Sequence, residues 1–451
     1  MNPLNETVHI GSHTMRNRLV MAPMTRSRAD DATGVPSAFA AQYYAQRADA
    51  GLIITEGTSP SPMGKGYVRT PGVHSVAQID GWKRITDAVH ARGGLIFLQL
   101  MHTGRISHPS LLPAGATPVA PSAIAAEGQV YTATGSQDFV VPRALDTGEI
   151  ASVADEYRRA TRHALQAGFD GVELHAASGY LPEQFLSSGT NQRTDRYGGS
   201  LEGRLRYPLQ VFDAVRAVWP ADRPMTVRIS ATDWRDGGVD ADEAVEIARA
   251  FAEHGVDGID VSTGQVVSDE RPAFGRSYQT PYADRIRNEI GRKYGIAVIA
   301  VGAISSYDDV NSIILAGRAD FCALGRAHLY DPQWTLHAAA EQGYSGLAAR
   351  WPDPFAAGRR KPQTGRTDGP RPRLELVRAG PPATAHARWR PGQSRPADPD
   401  GPSGPADGVR PADRDRSGPA GGARPADGDR PVPAGGPSPA DRAATNTGNR
   451  P

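Results

Sequence analysis

The feature that most constrains this chain is an alternation. Eight short runs rich in β-forming residues recur across the first 340 residues, at 18–22, 52–55, 95–100, 171–175, 225–230, 258–262, 297–302 and 320–325. Each is a continuous apolar run, as expected of a strand covered on both faces. Helical patterns lie between them and carry their own start and stop signals. Ser75 with Gln78 forms a capping box ahead of Ile79, Trp82, Ile85 and Val89, and Gly93 ends that helix. Asp240 with Glu243 opens the helix carrying Val245, Ala248 and Ala252, closed by Gly255. Ser306, Asp308 and Asp309 open another, closed by Gly317. Eight strands, each followed by a helix, is the count for an α/β fold of the (β/α)8 TIM-barrel type. A doubly wound open sheet would show a glycine-rich turn straight after an early strand. Here the first strand runs into Ala22-Pro23-Met24-Thr25, which has no glycine.

Residues 103–148 have no helical period and are rich in Pro, Gly and Thr; they read as an excursion after strand three, with a small hairpin, over the barrel mouth. Residues 8–15 read as an N-terminal hairpin plugging the opposite end. Near residue 363 the composition changes. Residues 370–451 hold 17 of the 38 prolines, their only aromatic is Trp389, and Pro-Ala-Asp recurs at Pro396, Pro405, Pro411, Pro425 and Pro439. Such a segment buries too little apolar surface to offset its ordering entropy. The expected organisation is one barrel domain over 1–363 and a disordered tail over 364–451, serving either as an interaction segment or as a passive extension.

Charge and composition narrow the function. Lys+Arg number 50 against 49 Asp+Glu, a net charge of +1, so no basic field favours nucleic acid or an anionic membrane. The single cysteine, Cys322, allows neither an internal disulfide nor a cysteine-built zinc site. No apolar run approaches a membrane span, and no signal pattern opens the chain. A cytoplasmic, soluble enzyme is expected, of unspecified oligomeric state.

Barrel chemistry sits where the strands end. The strand ends deliver Pro23, Met24 and Thr25; Glu56 and Gly57; Gln99 and Met101; His175, Ser178 and Tyr180; Arg228; Ser262 and Gln265; Gly302; and Gly325 with Arg326. The set offers amide, hydroxyl, imidazole and guanidinium groups with few carboxylates. It holds no acid pair for glycoside chemistry, no metal-ligand cluster and no Schiff-base lysine. It suits a planar, electron-rich, phosphate-bearing cofactor. Gly302, Gly325 and Arg326 follow strands seven and eight, the usual barrel phosphate site. Arg228 would set a positive charge against a developing anion, and Gln99 can donate and accept toward a pyrimidine-like edge.

These motifs resemble those of the old yellow enzyme family of FMN-dependent ene-reductases. The carrying segments are Asn17-Arg-Leu-Val-Met-Ala-Pro-Met-Thr25, Glu56-Gly57, Gln99-Leu-Met-His-Thr-Gly-Arg105, Val172-Glu-Leu-His-Ala-Ala-Ser-Gly-Tyr180, Asn191-Gln-Arg-Thr-Asp-Arg-Tyr-Gly-Gly-Ser200 and Leu324-Gly-Arg326. The likeness runs from about residue 3 to about residue 360, in family order. A second likeness, over roughly 224–345, is to the reductase domain of salicylyl-CoA and anthraniloyl-CoA hydroxylases; the monooxygenase half of those proteins is not in this chain.

The first resemblance implies that Ala22, Pro23, Met24 and Thr25 cradle FMN, that Gly57 packs beside its ring and that Gln99 bonds its pyrimidine edge. It implies that Arg228 faces the N1 and C2 carbonyl side, while Gly302, Gly325 and Arg326 hold the phosphate. His175 and Ser178 would bind a substrate carbonyl, Tyr180 would donate a proton to the α-carbon, and Tyr67 and Met101 would line the pocket. NAD(P)H would reduce the flavin, and an α,β-unsaturated carbonyl compound would then accept hydride at its β-carbon. The growing enolate charge needs donors already in place, and a phenol is a suitably weak acid. Two positions depart from the family pattern. Ser178 stands where His or Asn is usual, and it is either a shorter donor or a small filler beside His175. Met101 stands where many relatives carry Trp, which suggests a roomier pocket. Two further readings stay open: a flavin-dependent reductase of an aryl- or enoyl-CoA thioester, with Arg271, Arg276 and Arg285 as candidate contacts, and a flavin-free phosphate-binding barrel lyase.

Overall fold

A computed structural model describes residues 8–344, 349 and 351–359. Eight parallel strands close into a barrel: β1 (Leu19–Met21), β2 (Leu52–Ile54), β3 (Ile96–Leu100), β4 (Gly171–Ala176), β5 (Met225–Ser230), β6 (Gly258–Ser262), β7 (Ala297–Ala300) and β8 (Phe321–Leu324). The ring shuts where β8 meets β1, with Cys322 opposite Leu19 and Leu324 opposite Met21. All eight expected runs form strands, most of them trimmed at an end. β7 stops at Ala300 rather than 302 because the chain turns away through Gly302 at φ 105°, a conformation glycine enters without steric cost.

Each strand is followed by a packing helix: α1 (Ala38–Ala45), α2 (Val76–His90), α3 (Thr147–Gln166), α4 (Leu201–Arg216), α5 (Ala241–Glu253), α6 (Thr280–Ile286), α7 (Tyr307–Leu315) and α8 (Trp334–Glu341); shorter helices, among them Leu181–Leu186 and Arg326–Tyr330, sit in the connections. The sequence signals explain their ends. Ser75 and Gln78 exchange the two bonds of a capping box at α2, 3.4 and 3.2 Å long. Asp240 accepts from the N–H groups of Asp242 and Glu243 at 2.9 Å ahead of α5, and Ser306 and Asp309 form a box at α7. Gly93, Gly255 and Gly317 take the left-handed conformation just past these helices, at φ 69°, 86° and 68°.

Two apolar layers result. Helix faces bury Trp82, Tyr157, Phe212 and Phe251 against the outside of the barrel. Inside the barrel, Val20, Ile54, Phe97, Ile299 and Phe321 pack together with Ile10 and Met15. Those last two come from the N-terminal hairpin, Val8–Ile10 paired antiparallel with His13–Met15. Ser12 donates to the carbonyl of Asp222, ahead of β5, so the hairpin does plug the end away from the strand C-termini. The excursion after β3 contains the expected hairpin, Gln129–Thr132 against Gly135–Asp138. Arg105 ties it down, its guanidinium donating to the carbonyls of Ile124, Ala125 and Val266. Cys322 is a buried free thiol in β8. No described helix is long and apolar enough to cross a membrane. The expected disorder from residue 364 onward lies outside the described residues.

One buried carboxyl joins the loops that leave β1 and β2. Glu56 accepts from the backbone N–H of Arg26 at 3.0 Å and from the Tyr44 hydroxyl at 3.4 Å, while its own N–H donates to that hydroxyl at 3.0 Å. Only 6% of Glu56 is exposed, and burial pushes its pKa from 4.5 up to about 7. The folded state therefore holds this proton more tightly than the unfolded chain does. The contribution of Glu56 to stability falls as pH rises from about 4.5 to about 7 and is level above that. Glu56→Gln should remove this slope and gain about 1–3 kcal/mol relative to wild type at pH 8. Parallel denaturation curves for the two proteins from pH 5 to pH 8 would contradict the assignment.

Candidate active site

The C-terminal ends of the strands open onto a cavity of about 720 Å³, within the usual size of a cofactor or ligand site. Pro23, Thr25, Gly57, Gln99, Met101, His175, Ser178, Tyr180, Arg228, Gly302 and Arg326 all line it. Four other sequence candidates stand just behind. Ala22 donates its N–H to the carbonyl of Leu324 at 3.0 Å, at the seam of the barrel. Met24 packs toward Gly325, where an added Cβ would stand 3.4 Å from its sulfur. Tyr67 reaches the cavity through the Tyr180 hydroxyl.

Strand register builds the floor. In the parallel ladder, Glu173 of β4 lies opposite Gln99 of β3 and Thr226 of β5, while Arg228 of β5 lies opposite Asp260 of β6. The side chains bond across those pairs. Gln99 Nε2 donates to Glu173 at 3.0 Å, as does the Thr226 hydroxyl. Arg228 donates to Asp260 at 2.6 Å and to Ser262 Oγ at 3.3 Å. Burial, and then the charge of Asp260, raises the pKa of Glu173; burial raises that of Asp260 against the pull of Arg228. The floor therefore presents a guanidinium whose charge is partly balanced from below. These two carboxylates are not among the residues expected at the mouth from the sequence. Their signal was a charged residue inside an otherwise apolar buried run, which requires a partner.

One wall is set by β4 and the turn after it. His175 Nδ1 accepts from the N–H of Ala177 at 3.3 Å, which leaves the proton of the neutral ring on Nε2. Burial, with Arg228 as a second cause, holds the pKa of His175 well below its ordinary value. The imidazole is thus a neutral N–H donor. Tyr180 packs edge-on against it with ring centroids 4.8 Å apart, and its hydroxyl lies 3.1 Å from that of Tyr67. Burial, then Tyr67, holds the Tyr180 phenol well above its ordinary pKa. Between them Ser178 sits at φ 58°, its N–H donating to Ser230 Oγ at 3.2 Å.

The opposite side carries the groups expected at a phosphate. Gly302 sits at φ 105°, where a side chain is strained, and an added Cβ would also crowd the Gln279 amide at 2.7 Å. Arg326 is exposed at the cavity, and among the described residues no carboxylate pairs with it. Gln279 Oε1 is buried beside the cavity and has no hydrogen-bond partner among the described residues. Gly57 is equally confined: an added Cβ would come 2.3 Å from the sulfur of Met101. Guanidinium, amide, hydroxyl and unshielded glycine backbone are the donor set that a flavin with a phosphate tail requires, so the residues fit FMN. Phe274, Gly275, Tyr278 and Gln279, from the loop after β6, also line the cavity. They have no signal in the sequence, since that loop carries neither a regular period nor a motif.

Comparison with known proteins agrees with this geometry. The family model for the NADH:flavin oxidoreductase / NADH oxidase family matches residues 3–343. 12-Oxophytodienoate reductase 7 of Oryza sativa subsp. japonica is 45% identical over 232 residues, 51% of this chain and 58% of that protein. The chain thus spans little more than half the length of that relative over the match. NADPH dehydrogenase of Bacillus velezensis is 37% identical over 330 residues, 73% of this chain and 91% of that protein. The solved structure of an old yellow enzyme homologue from Zymomonas mobilis superposes with a TM-score of 0.66 at 35% identity, covering 76% of this chain and 97% of the other. A closed parallel barrel, a cavity at its strand ends whose residues fit FMN, and a family match over 3–343 together make this chain a member of the NADH:flavin oxidoreductase / NADH oxidase family, the old yellow enzymes, a family of FMN- and NAD(P)H-dependent oxidoreductases.

Proposed function

We propose that the protein is a cytoplasmic, FMN-dependent oxidoreductase that uses NAD(P)H to reduce the C=C bond of small α,β-unsaturated carbonyl compounds. One observation carries the reading: His175, held neutral with its proton on Nε2, shares one wall of the cavity with the phenol of Tyr180, and Arg228 lies in the floor between the strands. Bound FMN supplies the hydride. The chain does the rest. Thr25, Gly57 and Gln99 hold the ring, Gly302, Gly325 and Arg326 hold the phosphate, and Met101 shapes the adjacent wall. His175 and Ser178 donate to the carbonyl oxygen and so stabilise the enolate as charge builds there. Tyr180 delivers the proton to the α-carbon as a weak acid held protonated by burial.

The thioester alternative draws less support. Arg276 is paired with Asp309, and Arg285 with Asp242 and Glu289, so two of the three arginines considered for a CoA tail are engaged at the surface. The lyase alternative draws less support, since among the described residues no lysine lines the cavity to form a Schiff base.

The FMN-loaded protein should lose its flavin colour on anaerobic addition of NADPH or NADH and regain it with cyclohexenone. Bleaching without recovery would move the substrate away from simple enones. A protein that takes up no FMN would end the flavin reading.

Ser178 gives a second test. Its left-handed backbone suits Asn better than Ser, and an amide reaches further than a hydroxyl. Ser178→Asn should raise turnover on small enones several-fold, with stability unchanged or improved by up to about 1 kcal/mol. Unchanged or lower turnover in a well-folded variant would show that Ser178 is not a shortened donor.

A further inference from the structure

The Tyr67 and Tyr180 hydroxyls lie 3.1 Å apart, and among the described residues neither has any other hydrogen-bond partner. Both backbones are held. Gly66 is packed so closely that a Cβ there would meet the carbonyl of Ile106 at 2.3 Å, and the Thr70 hydroxyl donates to the carbonyl of Tyr67 at 2.9 Å. Tyr180 opens the short helix Leu181–Leu186; its N–H donates to Ala177 at 3.2 Å and its carbonyl accepts from Gln184 at 2.9 Å. The two rings therefore meet in a geometry set by three hydrogen bonds to their main chains and by the tight packing at Gly66. A single hydrogen lies between the oxygens. Only when Tyr67 supplies it does the Tyr180 O–H point elsewhere, free for a substrate.

We propose that proton delivery in this site runs through both phenols: Tyr180 gives its proton to the α-carbon, and Tyr67 refills Tyr180 and keeps the negative charge. The proposal rests on the reading of Tyr180 as donor. The Tyr180 O–H bond breaks as the α-carbon gains its C–H bond. The Tyr67 O–H bond breaks as the Tyr180 O–H bond re-forms. The electron pair stays on the Tyr67 oxygen, and water returns the proton there. The charge is better placed at Tyr67 for a physical reason. Burial opposes ionisation of both rings, but their shared bond lowers the pKa of Tyr67 and raises that of Tyr180. The other groups facing Tyr180 are Arg228, which favours its phenolate, Glu183, which disfavours it, and the neutral ring of His175. In this scheme Tyr67 is a positioning residue, acting on substrate only through Tyr180.

The test uses the full-length FMN-loaded protein, reduced and then mixed with cyclohexenone in water and in mixtures with heavy water. Tyr67→Phe should slow reoxidation about tenfold, a part of the 10²–10⁴ that general acid catalysis supplies. The dependence on deuterium fraction should be curved in wild type, from two protons in flight, and linear in Tyr67→Phe. A wild-type rate with unchanged curvature in Tyr67→Phe would overturn the relay. Tyr180→Phe separates the two readings: if it too reoxidises at the wild-type rate, the donor assignment itself has failed. If only Tyr180→Phe is slow, the donor stands and the relay falls. A readout independent of turnover covers a variant that packs poorly. With a fluorotyrosine replacing Tyr67, its fluorine resonance should titrate at higher pH when Tyr180→Phe is added. An unmoved midpoint would show the phenols uncoupled and sink the proposal.

Discussion

The pairing of the last barrel strand with the first is the constraint on which this molecule depends. β8 and β1 are short, four and three residues, yet their ladder turns an open sheet into a ring. The helical crossovers keep all eight strands parallel, and closure gathers their C-termini around one end. The hairpin bearing Ile10 and Met15 fills the other end. Groups as distant in sequence as Thr25 and Arg326 come to one cavity because Met21 and Leu324 are neighbours in the sheet.

Beneath that cavity the barrel changes character. Its lower interior is apolar, while the layer next to the mouth holds Glu173, Asp260, Arg228, Gln99 and Thr226 in mutual hydrogen bonds. Burying such groups is costly unless each finds a partner. Parallel register provides the partners, since the bonded side chains are cross-strand neighbours. The layer holds Gln99 and Arg228 in fixed orientations before any ligand arrives. It also qualifies the simple picture of Arg228 as a bare positive charge, because Asp260 lies 2.6 Å away.

The fold was legible in the sequence because buried parallel strands need unbroken apolar runs and helices need caps. Ser75, Asp240 and Ser306 cap the helices they were expected to open. Much of the candidate cavity was legible as well, since position along a strand of known direction predicts which end a residue reaches. Two classes of residue escaped. Glu173 and Asp260 lie inside strands, where apolar character dominates the pattern, and only register shows their partners. Phe274, Tyr278 and Gln279 lie in the loop after β6, whose path follows from tertiary packing rather than from any period. The bond between Tyr67 and Tyr180 joins residues 113 apart in the chain and has no local signature.

The backbone of Ser178 has a consequence for how such a site can diversify. At φ 58° most side chains are strained and β-branched ones are poorly tolerated, while Gly, Asn and Asp enter readily. This strand-end turn thus acts as a filter on mutation. Substitution at the position beside His175 is confined to small or short polar residues, so the proposed oxygen-binding corner can be strengthened, weakened or emptied but rarely blocked. The shape of the cavity has more freedom elsewhere on the rim, as at Phe274, whose backbone lies outside the left-handed region.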